Sequence, residues 1–397
     1  MNWPAYPAYT DEGVSWLDKY PAGWTPTPLK LLATMKNGDS ITSEAIEDSG
    51  EYPVYGGNGL RGFTARYTHQ GERVLIGRQG ALCGNIHLVS GQYWASEHAI
   101  VTTPEPATSA RWLAYALRVM DLGQYSQAAA QPGIAADVIG KLRVPTPPKG
   151  EQNGIADFLD SETAKIDALI AKQEQLIATL QERRGAVADR LLNKPGLTQP
   201  LKRSVANVTV GIVVTPSAWY AEEGVPALRG LNIRPGLVTS DDLVYLTPEG
   251  DALHAKSRLG AGDVVMVRTG QAGSAAVIPT ELSGANAIDL LIIRPGPKVD
   301  PEFISAYLNA PSIREKIAHG SVGAIQGHFN VSALRELGFP SIDMAEQRHR
   351  AEEWRIQEVK IDALIVKTET FIELSREYRS ALITDAVTGK IDVRRAA

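Results

Sequence analysis

At 397 residues the chain is too long for one ordinary core, so two or three domains are expected. Its net charge of −5 argues against nucleic-acid binding driven by phosphate neutralisation alone. One cysteine, Cys83, excludes an internal disulfide framework and any cysteine-based metal cluster. No run approaches the roughly 18 apolar residues of a membrane span. The opening Met1-Asn2-Trp3-Pro4 lacks the basic and apolar regions of a signal peptide. A cytoplasmic protein with no membrane partner is the expectation.

Residues 1–24, rich in proline and tryptophan, read as an irregular arm. Residues 25–150 read as a first mixed domain. Val74-Leu75-Ile76 and His98-Ala99-Ile100-Val101 are buried-strand runs, and a helix over about 109–120 carries Trp112, Leu113, Ala116 and Leu117 on one face. Residues 151–194 form a helical spacer, nearly free of glycine. Leu159, Ile166, Leu169, Leu176, Leu180 and Val187 fall on 3- and 4-residue steps, the seam of a coiled coil, with Gln173 as one polar interruption. Asn193-Lys194-Pro195-Gly196 ends this rod of roughly 60 Å.

A second mixed domain occupies 195–342. It has strands at Pro226–Ile233 and Val264–Val267, and a short helix at Ala306-Tyr307-Leu308. Residues 343–392 form a distal helical spacer with Ile361, Leu364, Phe371, Tyr378 and Leu382 on its seam; 393–397 are a tail. The hexapeptide Lys165-Ile166-Asp167-Ala168-Leu169-Ile170 recurs as Lys360-Ile361-Asp362-Ala363-Leu364-Ile365, an offset of 195 (360 − 165). Gln131 and Gln326, Pro145 and Pro340, and Glu151-Gln152 and Glu346-Gln347 keep the same offset. The expected fold class is α+β: an internal duplication of two mixed α/β recognition domains separated by two long antiparallel coiled-coil helices, pseudo-two-fold. Rods with one apolar stripe each bury it most simply against one another.

Neither head is basic: residues 24–150 carry 11 basic and 10 acidic side chains, and residues 199–342 carry 12 and 13. Gly57-Asn58-Gly59-Leu60-Arg61-Gly62 fits G-x-G-x-x-G. The next run, Phe63-Thr64-Ala65-Arg66-Tyr67, reads as strand rather than helix, so a glycine turn is expected, with Asn58 or Arg61 able to contact DNA. No P-loop occurs, and no Asn/Asp-Pro-Pro-aromatic loop of an amino-methyltransferase. Glu358-Val359-Lys360 lies within a rod and reads as a solvated charge pair. The seven histidines show no ligand spacing, and no nucleophile–base set is found. A non-catalytic chain without metal or cofactor is expected.

Val74-Leu75-Ile76-Gly77-Arg78-Gln79-Gly80 aligns with Val264-Val265-Met266-Val267-Arg268-Thr269-Gly270: a strand, then arginine, a polar residue and glycine in a turn. Arg78 with Gln79, and Arg268 with Thr269 and Gln271, are types that pair with guanine or adenine edges. Surface solvation or a structural salt bridge is the other reading of each. Gln131, and Gln326 with His328, lead equivalent loops where a loop-closing hydrogen bond is the alternative. Arg229 and Asn232, after an apparent strand, complete the DNA-contact candidates.

The stretches Phe158-Leu159-Asp160-Ser161-Glu162-Thr163-Ala164-Lys165-Ile166-Asp167-Ala168-Leu169-Ile170 and Glu377–Lys390 resemble the helical signatures of the DNA-specificity subunit of type I restriction–modification systems. Gly13-Val14-Ser15-Trp16-Leu17 and Gly23-Trp24 resemble that family's opening. The resemblance implies a non-enzymatic reader of bipartite double-stranded DNA, one half-site per head. It also implies two modification subunits that methylate adenine from S-adenosylmethionine, and restriction subunits that translocate using ATP and Mg. Those cofactors belong to the partners, whose docking the resemblance places near Phe158, Thr163, Lys165, Asp167, Lys360, Asp362 and Arg379. In the distal copy Glu353-Trp354-Arg355-Ile356-Gln357-Glu358 replaces the Phe-Leu-Asp-Ser-Glu-Thr run. A duplicated coiled-coil adaptor whose heads bind protein is the competing reading.

Overall fold

The computed structural model describes residues 3–80, 82–126, 133–193, 196, 198–270, 272–320 and 329–395. The chain divides into two compact units: residues 1–172 with 371–397, and residues 173–370.

In the first unit, β1 (Thr25–Pro28), β2 (Ala33–Asn37), β3 (Tyr52–Gly56), β4 (Gly59–Thr64), β5 (Arg73–Gly77), β6 (Ile86–Val89), β7 (Gln92–Ala95) and β8 (Ala99–Pro104) precede α1 (Ala110–Val119). Then come β9 (Arg143–Thr146) and α2 (Lys149–Leu192), a helix of 44 residues. One antiparallel sheet has the order β2-β8-β5-β6. A second sheet holds β4, β3 and β7, with β3 and β7 parallel, and β9 pairs with β1. Strand β5 carries Val74, Leu75 and Ile76 wholly buried, because it is a central strand with both faces covered. Trp112, Leu113, Ala116 and Leu117 of α1 are buried in the same cluster as Val74 and Ile76, as their helical spacing requires.

The second unit repeats this topology. It contains β10 (Thr198–Pro200), β11 (Asn207–Val210), β12 (Val225–Leu228), β13 (Val244–Leu246), β14 (Val264–Val267), β15 (Ala275–Val277), β16 (Asn286–Ala287) and β17 (Leu290–Arg294). It continues with α3 (Pro301–Asn309), α4 (Pro311–Gly320), β18 (Gly338–Pro340) and α5 (Met344–Val387). The sheet order β11-β17-β14-β15 matches β2-β8-β5-β6, β12 and β16 are the parallel pair, and β10 with β18 matches β1 with β9. Within 226–233 the first strand ends at Leu228, residues 230–232 form a turn of 3-10 helix, and Ile233 opens a further short strand.

The repeated Glu-Gln pair acquires a physical reason. Gln152 is 2% exposed; its Oε1 accepts the Ser109 N–H at 2.8 Å, and its Nε2 donates to the Pro147 carbonyl at 2.9 Å. Gln347, also 2% exposed, accepts the Asp300 N–H at 3.0 Å and donates to the Ile342 carbonyl at 2.9 Å. Ser109 and Asp300 are the N-cap residues of α1 and α3, so each glutamine ties the start of a long helix to the start of its head's short one.

Both long helices contribute to each unit, and within each they run antiparallel. In the first unit Asp167 pairs with Arg379, whereas the earlier Glu151 lies by the later Arg394. In the second, Arg184 pairs with Glu358 and Asp362, whereas the later Leu191 carbonyl accepts from the earlier Arg350. The apolar seam differs from the sequence expectation. Leu159, Ile170 and Leu180 are buried on α2, but Leu169 and Leu176 are 40% and 44% exposed. On α5, Ile361, Thr368, Ile372 and Leu382 are buried, whereas Leu364, Phe371 and Tyr378 are 51%, 42% and 42% exposed. Each leucine-rich row lies on the flank of its helix, one residue off the true seam. A 3-4 pattern with two apolar rows does not say which row meets the neighbouring helix.

The N-terminal arm packs by its aromatics: Trp3 meets Phe158 edge-on, and Tyr6 meets Trp24. The Tyr6 hydroxyl and the Trp24 indole both donate to Glu151 of α2.

Candidate nucleic-acid interface

The two strand-end turns are built alike. After β5 and after β14 the chain places arginine, a polar residue and then a glycine in the left-handed region, Gly80 at φ 85° and Gly270 at φ 71°. That conformation is what makes glycine necessary there. In both turns the arginine carbonyl receives an N–H from the segment that precedes the closing strand: Ile134 to Arg78 at 2.9 Å, and Phe329 to Arg268 at 3.1 Å. Each arginine faces the turn that enters the neighbouring strand, β8 or β17.

The chemistry at that turn differs. Arg78 donates from Nη1 to the Glu97 carbonyl at 3.3 Å, and Gln79 Oε1 lies 3.3 Å from His98 Nδ1. Asn58, exposed on the glycine turn between β3 and β4, accepts from Asn85 at 3.0 Å. Since strands flank that turn on both sides, it has no helix with which to hold a dinucleotide. Arg61 is exposed on β4. Asn58, Arg61, Arg78 and Gln79 are therefore surface groups of one head.

In the second unit Arg268 Nε lies 3.4 Å from Asp289 Oδ1, and the Thr269 hydroxyl donates to Asp289 Oδ2 at 3.0 Å. Arg229 donates to the Asp242 carbonyl at 2.6 Å. Asn232 is corrected: its side chain is 0% exposed. Its Oδ1 accepts the Arg229 N–H at 2.9 Å, and its Nδ2 donates to the Asp241 carbonyl at 2.6 Å. It closes a turn and has no surface to offer a base. Gln131, Gln271, Gln326 and His328 lie outside the described residues. Sequence reading misses Asn85, His98 and Asp289. Asp289 and His98 each directly precede the strand that pairs with the arginine-bearing one, a relationship that only the strand pairing reveals.

Of the residues assigned to partner docking, Thr163 is corrected. It is 5% exposed, and its hydroxyl donates to the Leu159 carbonyl at 2.6 Å within the helix. Asp167 pairs with Arg379, and Asp362 with Arg184, so these charges bind helix to helix within the chain. Lys165 bonds Glu162 on its own helix and remains exposed, as does Lys360; Phe158 is half-buried beneath Trp3.

The second unit also holds a cleft of about 790 Å³ between α3 and the long helices, floored by Ala306, Ala351 and Trp354. At the corresponding place in the first unit, 195 positions earlier than Ala306, Arg111 reaches across to Asp157 and Asp160, each at 2.7 Å. Among the described residues no group of three or more His, Cys, Asp or Glu side chains could hold a metal, and no helix is long and apolar enough to cross a membrane.

Comparison with known proteins agrees with this geometry. Residues 21–179 match the family model of the type I restriction modification DNA specificity domain. The chain is 38% identical over 164 residues to the EcoprrI type I restriction enzyme specificity subunit of Escherichia coli, covering 40% of this chain and 41% of that protein. The match spans about two-fifths of the length of such curated relatives. In fold, the chain is similar to one solved for complex assembly and conformational transition of the type I R-M system. The TM-score is 0.73 at 14% identity, over 94% of this chain and 99% of that one. The HsdS subunit from Thermoanaerobacter tengcongensis gives a TM-score of 0.60 at 14% identity, over 94% and 98%. The architecture is that of type I restriction–modification specificity subunits over nearly the whole chain.

Proposed function

We propose that the chain is the DNA-specificity subunit of a type I restriction–modification complex, reading a bipartite duplex with one half-site per head. The observation that carries this reading is the duplicated strand-end turn, arginine–polar–glycine, anchored alike in two heads but furnished with different neighbours. A shared frame with unlike donors and acceptors suits two different base sequences. The near-neutral charge of the heads fits base readout by this chain with backbone contacts supplied by partner subunits.

The partners in this proposal are two modification subunits and accompanying restriction subunits. S-adenosylmethionine serves the former, ATP and Mg the latter, and this chain carries no catalytic step. The exposed apolar row Leu364, Phe371 and Tyr378 supports docking on the long helices, since such rows on a soluble chain mark protein contacts. An adaptor whose heads bind protein is the second reading, since the heads also expose large apolar side chains such as Leu31, Leu60, Val214 and Leu253.

The test is selection of bound DNA from a randomised duplex pool by the full chain co-purified with its modification subunits. Wild-type protein enriches a two-part site, Arg78→Ala relaxes one part and Arg268→Ala the other. Loss of both parts in either variant overturns the assignment of one head per half-site.

A further inference from the structure

Arg268 is held in a way that Arg78 is not. Its side chain, 19% exposed, places Nε at 3.4 Å from Asp289 Oδ1. The other oxygen of Asp289 is fixed by the Thr269 hydroxyl at 3.0 Å, and its own N–H donates to the Ile212 carbonyl at 2.9 Å. Asp289 sits at φ 51°, a left-handed conformation that a non-glycine residue adopts at a cost. The contact of Nε with Asp289 is an ion pair without a hydrogen bond, and among the described residues the Arg268 guanidinium makes no hydrogen bond. In the first unit the arrangement is reversed: Arg78 Nη1 is bonded to the Glu97 carbonyl, and among the described residues no carboxylate pairs with its guanidinium.

A guanidinium carries five N–H donors in a planar fork. A carboxylate beside the Nε edge, itself held by a hydroxyl, draws that edge toward it by charge and leaves the opposite Nη pair for a ligand with two adjacent acceptors. In the major groove the guanine edge, O6 beside N7, is that ligand. A phosphate would also accept the fork, but without regard to sequence.

We infer that Asp289 is a positioning residue that orients Arg268 to read a guanine in the half-site of the second unit, with Thr269 holding Asp289 in place. This rests on the DNA-reading function proposed above. Asp289 does not touch the base; it acts through Arg268, and selectivity depends on it more than overall affinity does.

The experiment uses the full chain co-purified with its modification subunits and the same randomised duplex pool, followed by competition between the selected duplex and one changed at a single guanine. Asp289→Asn keeps a residue that tolerates the left-handed backbone while removing the charge, and Thr269→Val releases the clamp without touching Asp289. Arg268→Ala is expected to erase one guanine from the selected site. Asp289→Asn is expected to lower discrimination at that same guanine about tenfold, and Thr269→Val to lower it in the same direction, with the other half-site unchanged. If Arg268→Ala erases the guanine but Asp289→Asn leaves discrimination intact, this inference falls while the DNA-reading function stands. If Asp289→Asn weakens all duplexes equally, Arg268 grips phosphate and the inference is likewise overturned. If wild-type protein enriches no sequence, the DNA-reading function itself fails.

Discussion

Arg379 Nε lies 2.8 Å from Asp167 Oδ1, and 195 positions earlier and later the chain repeats the pair as Arg184 Nε and Asp362 Oδ1 at 3.2 Å. The second copy adds Glu358, which accepts from Arg184 at 2.6 Å. These ion pairs explain why the hexapeptide occurs twice: in each unit its aspartate meets an arginine of the other long helix, while its first isoleucine turns toward the seam. The pairs are partly solvated, so each contributes modestly. A double-mutant cycle on Arg379→Ala and Asp167→Ala, read by urea unfolding, should give a coupling of about 0.5–1 kcal/mol. A coupling near zero would leave the apolar seam alone to bind the helices in the first unit.

The parts of the fold legible in sequence are those with a period or a repeat. The periodicity places the helical spacers over 151–194 and 343–392, and helices α2 and α5 run over Lys149–Leu192 and Met344–Val387. The seam is misread where each helix carries a second apolar row. Leu364 and Phe371 repeat every seven residues as faithfully as Ile361 and Thr368 do, and hydrophobicity favours the wrong row. At the candidate interface the arginines are legible from the strand–turn pattern. Asp289 is not, because the contact joins two strands through tertiary pairing. Asn232 misleads for a related reason: an amide suits a base edge and a buried turn equally well, and only burial tells them apart.

Gln152 closes two backbone groups in the interior, and Gln347 three, the Asp300 N–H and the Ile342 and Lys298 carbonyls. Replacing Gln152 by leucine keeps much of the volume but leaves the Ser109 N–H and the Pro147 carbonyl without their partner. The expected loss is about 1–3 kcal/mol in urea unfolding, with Gln347→Leu costing a similar amount in the second unit. An exposed glutamine such as Gln175 should change stability by less than about 0.5 kcal/mol when replaced by alanine.

Tyr307 supplies the pH dependence. Burial pushes its phenol up from 10.0 to about 12, and its hydroxyl donates to the Gly338 carbonyl. Because the folded state holds this proton more tightly than the unfolded chain, the stabilisation is fully present below pH 10. It is lost progressively as pH rises from 10 to about 12, where the unfolded chain has already released its proton. Denaturant unfolding across that range should show stability falling with pH, and Tyr307→Phe should flatten the fall. Tyr93, pushed up to about 12 by its own burial, contributes with the same sign and keeps part of the slope in that variant.

The exposed row on α5 separates folding from assembly. Leu364, Phe371 and Tyr378 lie seven residues apart on the flank of the helix, whereas Ile361 is 5% exposed within the seam. Replacing all three flank residues by serine removes apolar surface that is about half in water, so the isolated chain should lose about 1 kcal/mol or less for each substitution. Ile361→Ala removes buried methyl groups and should cost about 2–4 kcal/mol. If partner subunits dock on this flank, the triple variant loses co-purification with the modification subunits while its fold persists. Ile361→Ala should retain the partner at temperatures where it remains folded. The reverse result, with assembly untouched by the triple variant, would move the docking surface off this face of the helix.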